Sequence, residues 1–136
     1  MWPFGRHRPC GQCQSDQGDS AALGRRGEKL AADALRRAGL SILARNYRCP
    51  AGEVDLIALG DDVVVFAEVK TRASDYFTAP AAAVDSAKQR HLRRSADYYF
   101  ATHPDAAGMT RRFDVISIVA ADGQPPRLEH IADAFR

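Results

Sequence analysis

The sequence predicts an α/β domain in which helices cover a mixed β-sheet, with elements in the order helix, three strands, helix, strand (αβββαβ). Residues 20–38 and 84–102 carry apolar residues at helical spacing. Between them lie three short apolar or alternating segments that are typical of strands. A further apolar segment, residues 112–120, follows the second helix. Helices and strands interleaved in this way favour helices packed on a sheet.

The first helix is predicted from Ser20, a favourable N-cap residue, to a stop at Gly39. Glu28 lies at the edge of its apolar stripe. The preceding residues 1–19 have no periodicity and are rich in Gly, Gln, Arg, Pro and Cys. We therefore predict a disordered N-terminal tail over 1–19 and one folded domain over 20–136. The stripe consists of Leu23, Gly27, Leu30, Ala31, Ala34, Leu35 and Ala38.

The three predicted strands cover residues 41–48, 52–59 and 62–71, and Gly60-Asp61 is a hairpin turn signal between the last two. A two-residue loop would pair the ends of these strands so that Asp55 lies opposite Phe66. Asp55 would then be diagonal to Glu68, with about 7–8 Å between Cα atoms. A slip of one residue in the register would separate the two carboxylates.

The C-terminal third contains the predicted helix, ended by His103-Pro104, and the strand 112–120. Residues 128–135 fit either a short strand or a helical turn. Asp114 is interpreted as structural rather than catalytic. Tyr98, Tyr99 and Phe100 are consecutive on the helix, so at most two of them can lie in the core. The third is either an ordinary surface aromatic or a platform for stacking on a base.

The composition is that of an ordinary soluble protein, and the charge is unevenly distributed along the chain. No apolar run approaches the roughly 20 residues needed to cross a bilayer, and no hydrophobic signal segment follows the N-terminal basic residues. An odd number of cysteines, three, argues for reduced thiols and a cytoplasmic location. An acidic centre (residues 50–84, net −4) lies between basic segments (1–49, net +5; 85–112, net +3). This pattern suits a metal site that must hold a nucleic acid, although ordinary surface variation also produces it.

The ends of the second and third strands carry the chemistry. Asp55, Glu68 and Lys70 follow or interrupt strongly apolar sequence, where a charged group is costly unless it is paired or binds an ion. Two carboxylates beside a lysine form a hard-oxygen site suited to Mg²⁺ or Mn²⁺. Glu28, and as an alternative Glu53, could supply a further ligand. A structural ion pair of Lys70 with either carboxylate remains the competing interpretation.

Basic residues near this site are candidates for phosphate contacts. Arg72 directly follows the strand that carries Lys70, and Lys88 lies on the second helix. Each contact of this kind adds to the salt dependence of binding. For Lys88, a solvated helix face is an equally good interpretation.

A zinc site is weakly suggested by His7, Cys10 and Cys13, with Cys49 distant in the chain. A second closely spaced pair of ligands is missing, and the three residues fall in the predicted tail. We therefore favour thiols without a metal there.

The segments GRRGEKLAADALRRAGL, RNYRCPAGEVDLIAL, VVVFAEVKTR and RRFDVISI, together with the helix that carries Lys88, resemble the YraN-like proteins, uncharacterised protein family 0102. That family is similar to archaeal Holliday-junction resolvases and has a restriction-endonuclease-like (PD-(D/E)xK) core. The resemblance covers residues 21–135. GEVDLIA followed by FAEVKTR is a specific signal, whereas a lone Glu-x-Lys would be weak.

The resemblance implies a metal-dependent DNA endonuclease, a hydrolase of phosphodiester bonds, acting on branched or single-stranded DNA in repair or recombination. By motif position it implies Asp55 and Glu68 as metal ligands, Lys70 as the catalytic lysine and Glu28 as a helix-borne acid. The alternative is a nucleic-acid-binding module of the same fold with little or no cleavage. DNA is the expected partner, no membrane is expected, and a homodimer is left open.

Overall fold

The computed structural model describes residues 15–73, 84–121 and 123–136, with side chains described from residue 22 onward. It confirms a mixed α/β architecture, a five-stranded sheet with helices on both sides. A single 3₁₀ turn, Pro104–Ala106, follows the second helix. The elements are α1 (Ser15–Arg37), β1 (Ser41–Cys49), β2 (Gly52–Leu59), β3 (Val63–Arg72), α2 (Ser86–Thr102), β4 (Thr110–Val119) and β5 (Arg127–Phe135).

The strands lie in the order β1-β2-β3-β4-β5. The pairs β1/β2, β2/β3 and β4/β5 are antiparallel, whereas β3 and β4 are parallel. A parallel pair needs a long crossover connection, and α2 provides it here. β3 and β4 are paired without interruption from Val63↔Thr110 to Arg72↔Val119, and they lie in the middle of the sheet.

The two helices cover opposite faces of the sheet. Ala31, Ala32 and Leu35 of α1 pack on one face, and Leu92, Ala96 and Tyr99 of α2 pack on the other. Alternation along the strands supplies most of both cores, because successive side chains point to opposite faces. In β2 the alternation breaks beside Asp55, since Val54 and Ile57 face the same side. The α1 face receives Leu56, Ala58, Val65, Ala67, Ile116 and Ile118, and the α2 face receives Val54, Ile57, Val64, Phe66 and Phe113.

Helix α1 approaches the sheet most closely at Gly27. A Cβ atom built on this glycine would overlap the side chain of Thr71 on β3, with Oγ1 the nearest atom. Glycine is therefore required by space rather than by backbone conformation. This contact sets the N-terminal half of α1 against the end of β3, beside Asp55.

The first helix begins at Ser15, five residues before the predicted start at Ser20. The predicted tail of 1–19 therefore overlaps the helix over residues 15–19. The sequence of residues 15–19 lacks the apolar stripe on which the predicted start depended, but a helix can extend beyond its apolar face. Residues 1–14 lie outside the described residues, so the prediction of a tail there stays a prediction.

The β2–β3 hairpin has a longer loop than predicted. Leu59 pairs with Val64 rather than with Asp62, and the backbone N–H of Gly60 donates to the carbonyl of Val63 (2.8 Å). Asp61 and Asp62 are exposed and stay in the loop, while the apolar run begins the strand at Val63. The shift is an even number of residues, so the predicted facing of the strands is preserved.

Residues 128–135, which fitted a strand or a helical turn, belong to the antiparallel edge strand β5. The Phe135 ring stacks on Phe113 with 5.0 Å between centroids. Pairing with β5 also satisfies the outer backbone groups of β4, which a helical turn would leave without partners. Among the described residues, no helix is long and apolar enough to cross a membrane.

Candidate metal centre

Asp55 lies where β2 and β3 separate. The pairing of the two strands ends at Leu56↔Ala67, so the next rung would bring Asp55 opposite Glu68. The Oδ2 atom of Asp55 instead accepts a hydrogen bond from the backbone N–H of Val69 (2.8 Å). The carboxylate thus accepts the hydrogen bond that a backbone carbonyl would accept in a continued strand pair. This bond fixes its orientation at the point where the two strands separate.

Glu68 points to the face that α2 covers, since it alternates with Val64 and Phe66 of that core. The Nζ of Lys88, on the first turn of α2, lies 3.4 Å from Glu68 Oε1. This distance is within ion-pair range, yet the same oxygen is buried and makes no hydrogen bond. The ion pair is therefore loose, and it leaves a buried carboxylate oxygen with unused capacity to bind.

Asp55 and Glu68, which we call the carboxylate pair, interact electrostatically. Burial raises the pKa of each carboxyl group above its ordinary value. In Asp55 the hydrogen bond from Val69 opposes this rise most strongly, followed by the charge of Lys88. For Glu68 the negative charge of Asp55 raises the pKa further, and Lys88 lowers it. Two desolvated carboxylates that repel each other resist full ionisation.

Glu28 approaches Asp55 from the other side of the sheet. It shares a cleft of about 220 Å³ with Asp55, walled by α1 and the end of β3. The Nδ2 of Asn46 donates to Glu28 Oε1 at 3.4 Å. Burial raises the pKa of Glu28, and the charges of Asp55 and Glu53 add to the rise against the Asn46 hydrogen bond. Asn46 has φ of 51°, a left-handed conformation that asparagine tolerates within a strand.

The donor set fits a hard divalent cation that is only partly held by protein. Within residues 15–73, 84–121 and 123–136, no three His, Cys, Asp or Glu side chains are close enough to enclose an ion. Glu28 thus adds a neighbouring acid but does not complete a three-carboxylate cage with the pair. Mg²⁺ usually takes one or two carboxylates and fills its remaining positions with water and substrate phosphates. The unsatisfied Glu68 Oε1 is the atom best placed to gain from such an ion.

Lys70 and Arg72 share the face of Glu68, since the pairing of β3 with β4 is unbroken through Arg72. Both side chains are half-buried and make contacts with their surroundings. The charge of Lys70 also lowers the pKa of Glu68, although less than Lys88 does. Lys88, which the sequence suggested for phosphate contact, lies against Glu68 instead. A second lysine therefore belongs to the site.

Glu53, considered as an alternative ligand, is exposed and pairs with Arg48 at 3.5 Å. Its charge reaches Asp55 and Glu28 only as a contribution to their pKa values. The structure thus places Glu53 outside the direct contacts of the carboxylate pair. The role of Glu53 as a ligand has no support from its position.

Asp114 forms a second buried acidic centre, between β4 and β5. Arg112 donates to both of its oxygens, His130 Nε2 lies 2.7 Å from Oδ2, and the backbone N–H of Asp133 donates to Oδ1. Burial would raise the pKa of Asp114, but the hydrogen bonds from His130 and Arg112 outweigh it and the pKa is lowered. All four contacts use the carboxylate as an acceptor, and those from His130 and Asp133 join β5 to β4, in agreement with a structural role. The spacing of Arg112 and Asp114 on one strand face was the available sequence signal.

The suggested zinc ligands His7, Cys10 and Cys13 lie outside the described residues. Cys49 is half-buried and its thiol is free. Whether these residues bind zinc is not tested, and the prediction of thiols without a metal stays a prediction.

Comparison with known proteins points to one family. The sequence model of the uncharacterised protein family UPF0102 matches residues 27–118, which include the carboxylate pair, Glu28, both lysines and Arg72. A UPF0102 protein of Nocardia farcinica is 44% identical over 118 residues, covering 87% of this chain and 92% of the relative. UPF0102 proteins of Geobacter metallireducens (44% over 114 residues; 84% and 92%) and Caldicellulosiruptor bescii (41% over 114; 83% and 96%) are similar over the same extent.

Proposed function

We propose that this chain, which belongs to the uncharacterised protein family UPF0102, is a Mg²⁺- or Mn²⁺-dependent endonuclease that hydrolyses DNA phosphodiester bonds. Its substrates in this proposal are branched or single-stranded DNA in cytoplasmic repair or recombination. The proposal includes a restriction-endonuclease-like core. A five-stranded mixed sheet that presents two acids and a lysine at the end of its β2–β3 hairpin supports it.

The observation that carries the proposal is the carboxylate pair, with one buried oxygen of Glu68 that makes no hydrogen bond. A buried carboxylate oxygen that makes an ion pair but no hydrogen bond is incompletely compensated, so a cation bound there would stabilise the folded protein. Lys88 supplies part of that compensation at 3.4 Å. A divalent ion held between Asp55 and Glu68 would supply the rest.

A bound Mg²⁺ or Mn²⁺ would polarise a phosphate and lower the pKa of a water molecule. In this proposal Asp55 and Glu68 hold the ion, and the Val69 N–H keeps Asp55 oriented toward it. Lys70 orients the attacking water and stabilises the charge that develops on the phosphate. Glu28, with its raised pKa, is a candidate to hold or release a proton at the cleft that it shares with Asp55.

Arg72 holds the substrate phosphate beside Lys70, on the face that also carries Glu68. Lys88 keeps the carboxylate pair partly neutralised before the cation binds, and is then available to a phosphate. A homodimer would supply the two sites needed to cut two strands of a branch.

The alternative is a nucleic-acid-binding module without cleavage. The Lys88–Glu68 contact favours it, because an ammonium group already balances part of the charge that a cation would neutralise. The two functions differ in their need for Lys70. A binding module uses Lys70 as one cation among several, whereas the nuclease requires it for the reaction.

The proposal is tested by incubating the protein with labelled single-stranded, blunt duplex, flapped and four-way-junction DNA in Mn²⁺, Mg²⁺ or EDTA. We expect metal-dependent cleavage of at least one branched or single-stranded substrate. Lys70→Ala should abolish cleavage and change affinity little, while Arg72→Ala should lower the log–log salt slope of binding by about one unit. Lys29→Ala, on the exposed surface of α1, is the matched control. Binding without cleavage of any substrate would support the alternative.

A further inference from the structure

A groove of about 800 Å³ lies between the edge strand β1 and the C-terminal half of α2. We call it the edge groove. Its size falls within the roughly 300–1,000 Å³ of ligand-binding clefts. It lies apart from the cleft that holds Glu28 and Asp55. The residues that matter for its chemistry are Leu43, Arg45, Tyr47, Arg48, Tyr98 and His103.

The edge groove concentrates exposed apolar surface. Leu43 (43% exposed) and Tyr98 (41%) are the strongly exposed large hydrophobic residues of the described chain, and both line it. A β-bulge in β1, between Ile42 and Ala44, places Leu43 outside the regular ladder. Bulges commonly redirect a side chain next to functional sites.

Tyr98 differs from its neighbours on α2. Tyr99 is buried and packs on Tyr47, Phe66 and the His103 ring, whereas the Tyr98 ring contacts no other ring of the described residues. Of the three consecutive aromatics, Tyr98 is thus the one left at the surface. An open aromatic face in a basic groove is the usual platform for an unpaired base.

The charge of the edge groove is positive. Arg45 and Arg48 line it, and none of the described residues around it is acidic. Arg48 pairs with Glu53 outside the groove, yet its side chain remains 56% exposed. Arginines beside an aromatic platform match the alternating phosphates and bases of a single strand.

The edge groove is lined by the part of β1 that pairs with β2 on either side of Asp55. Arg45 pairs with Leu56 and Tyr47 pairs with Val54, so Asp55 lies between these two rungs of the neighbouring strand. Asn46, between Arg45 and Tyr47 on β1, donates a hydrogen bond to Glu28 of α1. The part of β1 that lines the groove therefore runs alongside Asp55 of β2, whereas Glu28 and the cleft that it shares with Asp55 lie toward α1.

We propose that the edge groove binds an unpaired strand of nucleic acid, with a base stacked on Tyr98 and phosphates on Arg45 and Arg48. Stacking needs a base that is free of its partner, so the groove discriminates against blunt duplex. Delivery of the adjoining phosphate to the carboxylate pair would be a further role of the groove, and that role rests on the proposed nuclease function. Strand binding itself does not depend on that function.

The test measures binding in EDTA, so that neither metal nor cleavage contributes. Fluorescence anisotropy with a labelled twelve-nucleotide oligothymidylate and a blunt duplex of equal length compares wild type with Tyr98→Ala, Tyr98→Phe and Arg45→Ala. Tyr98→Ala should weaken strand binding about five- to hundredfold and leave duplex binding unchanged. Tyr98→Phe keeps the ring and should bind like wild type. Arg45→Ala should lower the single-strand salt slope by about 0.7.

Arg37→Ala is the control, because it removes an exposed charge at the end of α1. It should leave the preference for single-stranded DNA over duplex unchanged. The proposal is overturned if wild type does not bind the strand at 50 mM salt, or if Tyr98→Ala binds strand and duplex as wild type does. Equal loss in Tyr98→Phe and Tyr98→Ala would also overturn it, because stacking would not be the interaction.

A second copy of the chain is the competing occupant. A sedimenting dimer that becomes a monomer in Tyr98→Ala, with strand binding unchanged, would identify the groove as a subunit interface and overturn the proposal. Failure of the nuclease proposal is separate. If single-stranded DNA binds in a Tyr98-dependent way but is not cleaved in Mn²⁺ or Mg²⁺, the groove keeps its role as a binding site and only the enzymatic function is excluded.

Discussion

Stability should depend on divalent metal through the carboxylate pair. The folded protein raises the pKa of both Asp55 and Glu68 above their unfolded values, chiefly by burial. A group of this kind contributes stability below its unfolded pKa and loses that contribution as the pH rises through its folded pKa. Ionising the pair in the folded protein without metal therefore costs free energy. A bound cation removes that cost and adds its own binding free energy.

The expected magnitude follows from mass action. At a Mn²⁺ concentration one hundred times the dissociation constant, the free energy of unfolding should rise by about 2.7 kcal/mol. For a domain of this size, that corresponds to a rise in melting temperature of about 10 °C. Circular dichroism melts at pH 7, in EDTA and across a Mn²⁺ titration, measure it. The rise should shrink as the pH is lowered toward 4, because the carboxylates protonate and release the ion.

Two variants identify the source of this effect. Asp55→Asn keeps a side-chain oxygen that can accept from the Val69 N–H, so the fold should persist while the charge is lost. Without metal at pH 7 it should melt above wild type, and Mn²⁺ should no longer raise its melting temperature. Asp61→Asn makes the same change on the exposed hairpin loop and should respond like wild type. An equal rise in all three proteins, or no rise in wild type, would refute a metal site at the pair.

Three further outcomes concern stability. Gly27→Ala should lose about 1–3 kcal/mol by overlap with Thr71, although alanine favours helices, whereas Gly24→Ala, with open space around it, should gain up to about 1 kcal/mol in urea unfolding. Asp114→Asn should lower the free energy of unfolding by on the order of 3 kcal/mol, because an amide group would face the arginine and histidine donors. The difference from wild type should diminish as the pH falls below the pKa of the carboxyl group in the unfolded chain. Lys88→Met should lower the metal-free melting temperature more at pH 7 than at pH 4, since neutral carboxyls do not need the ammonium; equal losses would contradict this.

Local sequence predicted most elements, because their signals are short-range. The second strand was predicted with the observed bounds, Gly52–Leu59, since alternation and flanking glycines define it. The end of α2 at Thr102 followed from His103-Pro104. The start of α1 was missed, because side-chain propensities around residues 15–19 leave the first turn open to several N-cap positions.

The sequence predicted that Asp55 and Glu68 lie close together, but it did not predict the contacts that surround them. The two-residue shift of the hairpin moved Glu68 from the predicted diagonal position to the rung of Asp55, just beyond the last pair Leu56↔Ala67, although the predicted loop length was wrong. The contact of Lys88 with Glu68 depends on where the crossover sets the start of α2, which no local pattern encodes. The left-handed Asn46 and its bond to Glu28 likewise depend on the distortion of β1 against β2.

Single-turnover cleavage of the best DNA substrate in Mn²⁺ tests the central claim most directly. Wild type, Asp55→Asn and Asp61→Asn are purified in parallel and compared at enzyme excess, with binding measured in EDTA. We predict cleavage by wild type and by Asp61→Asn, and none by Asp55→Asn, although all three bind the DNA. Cleavage by Asp55→Asn at the wild-type rate would show that the activity does not come from the carboxylate pair and would contradict the account.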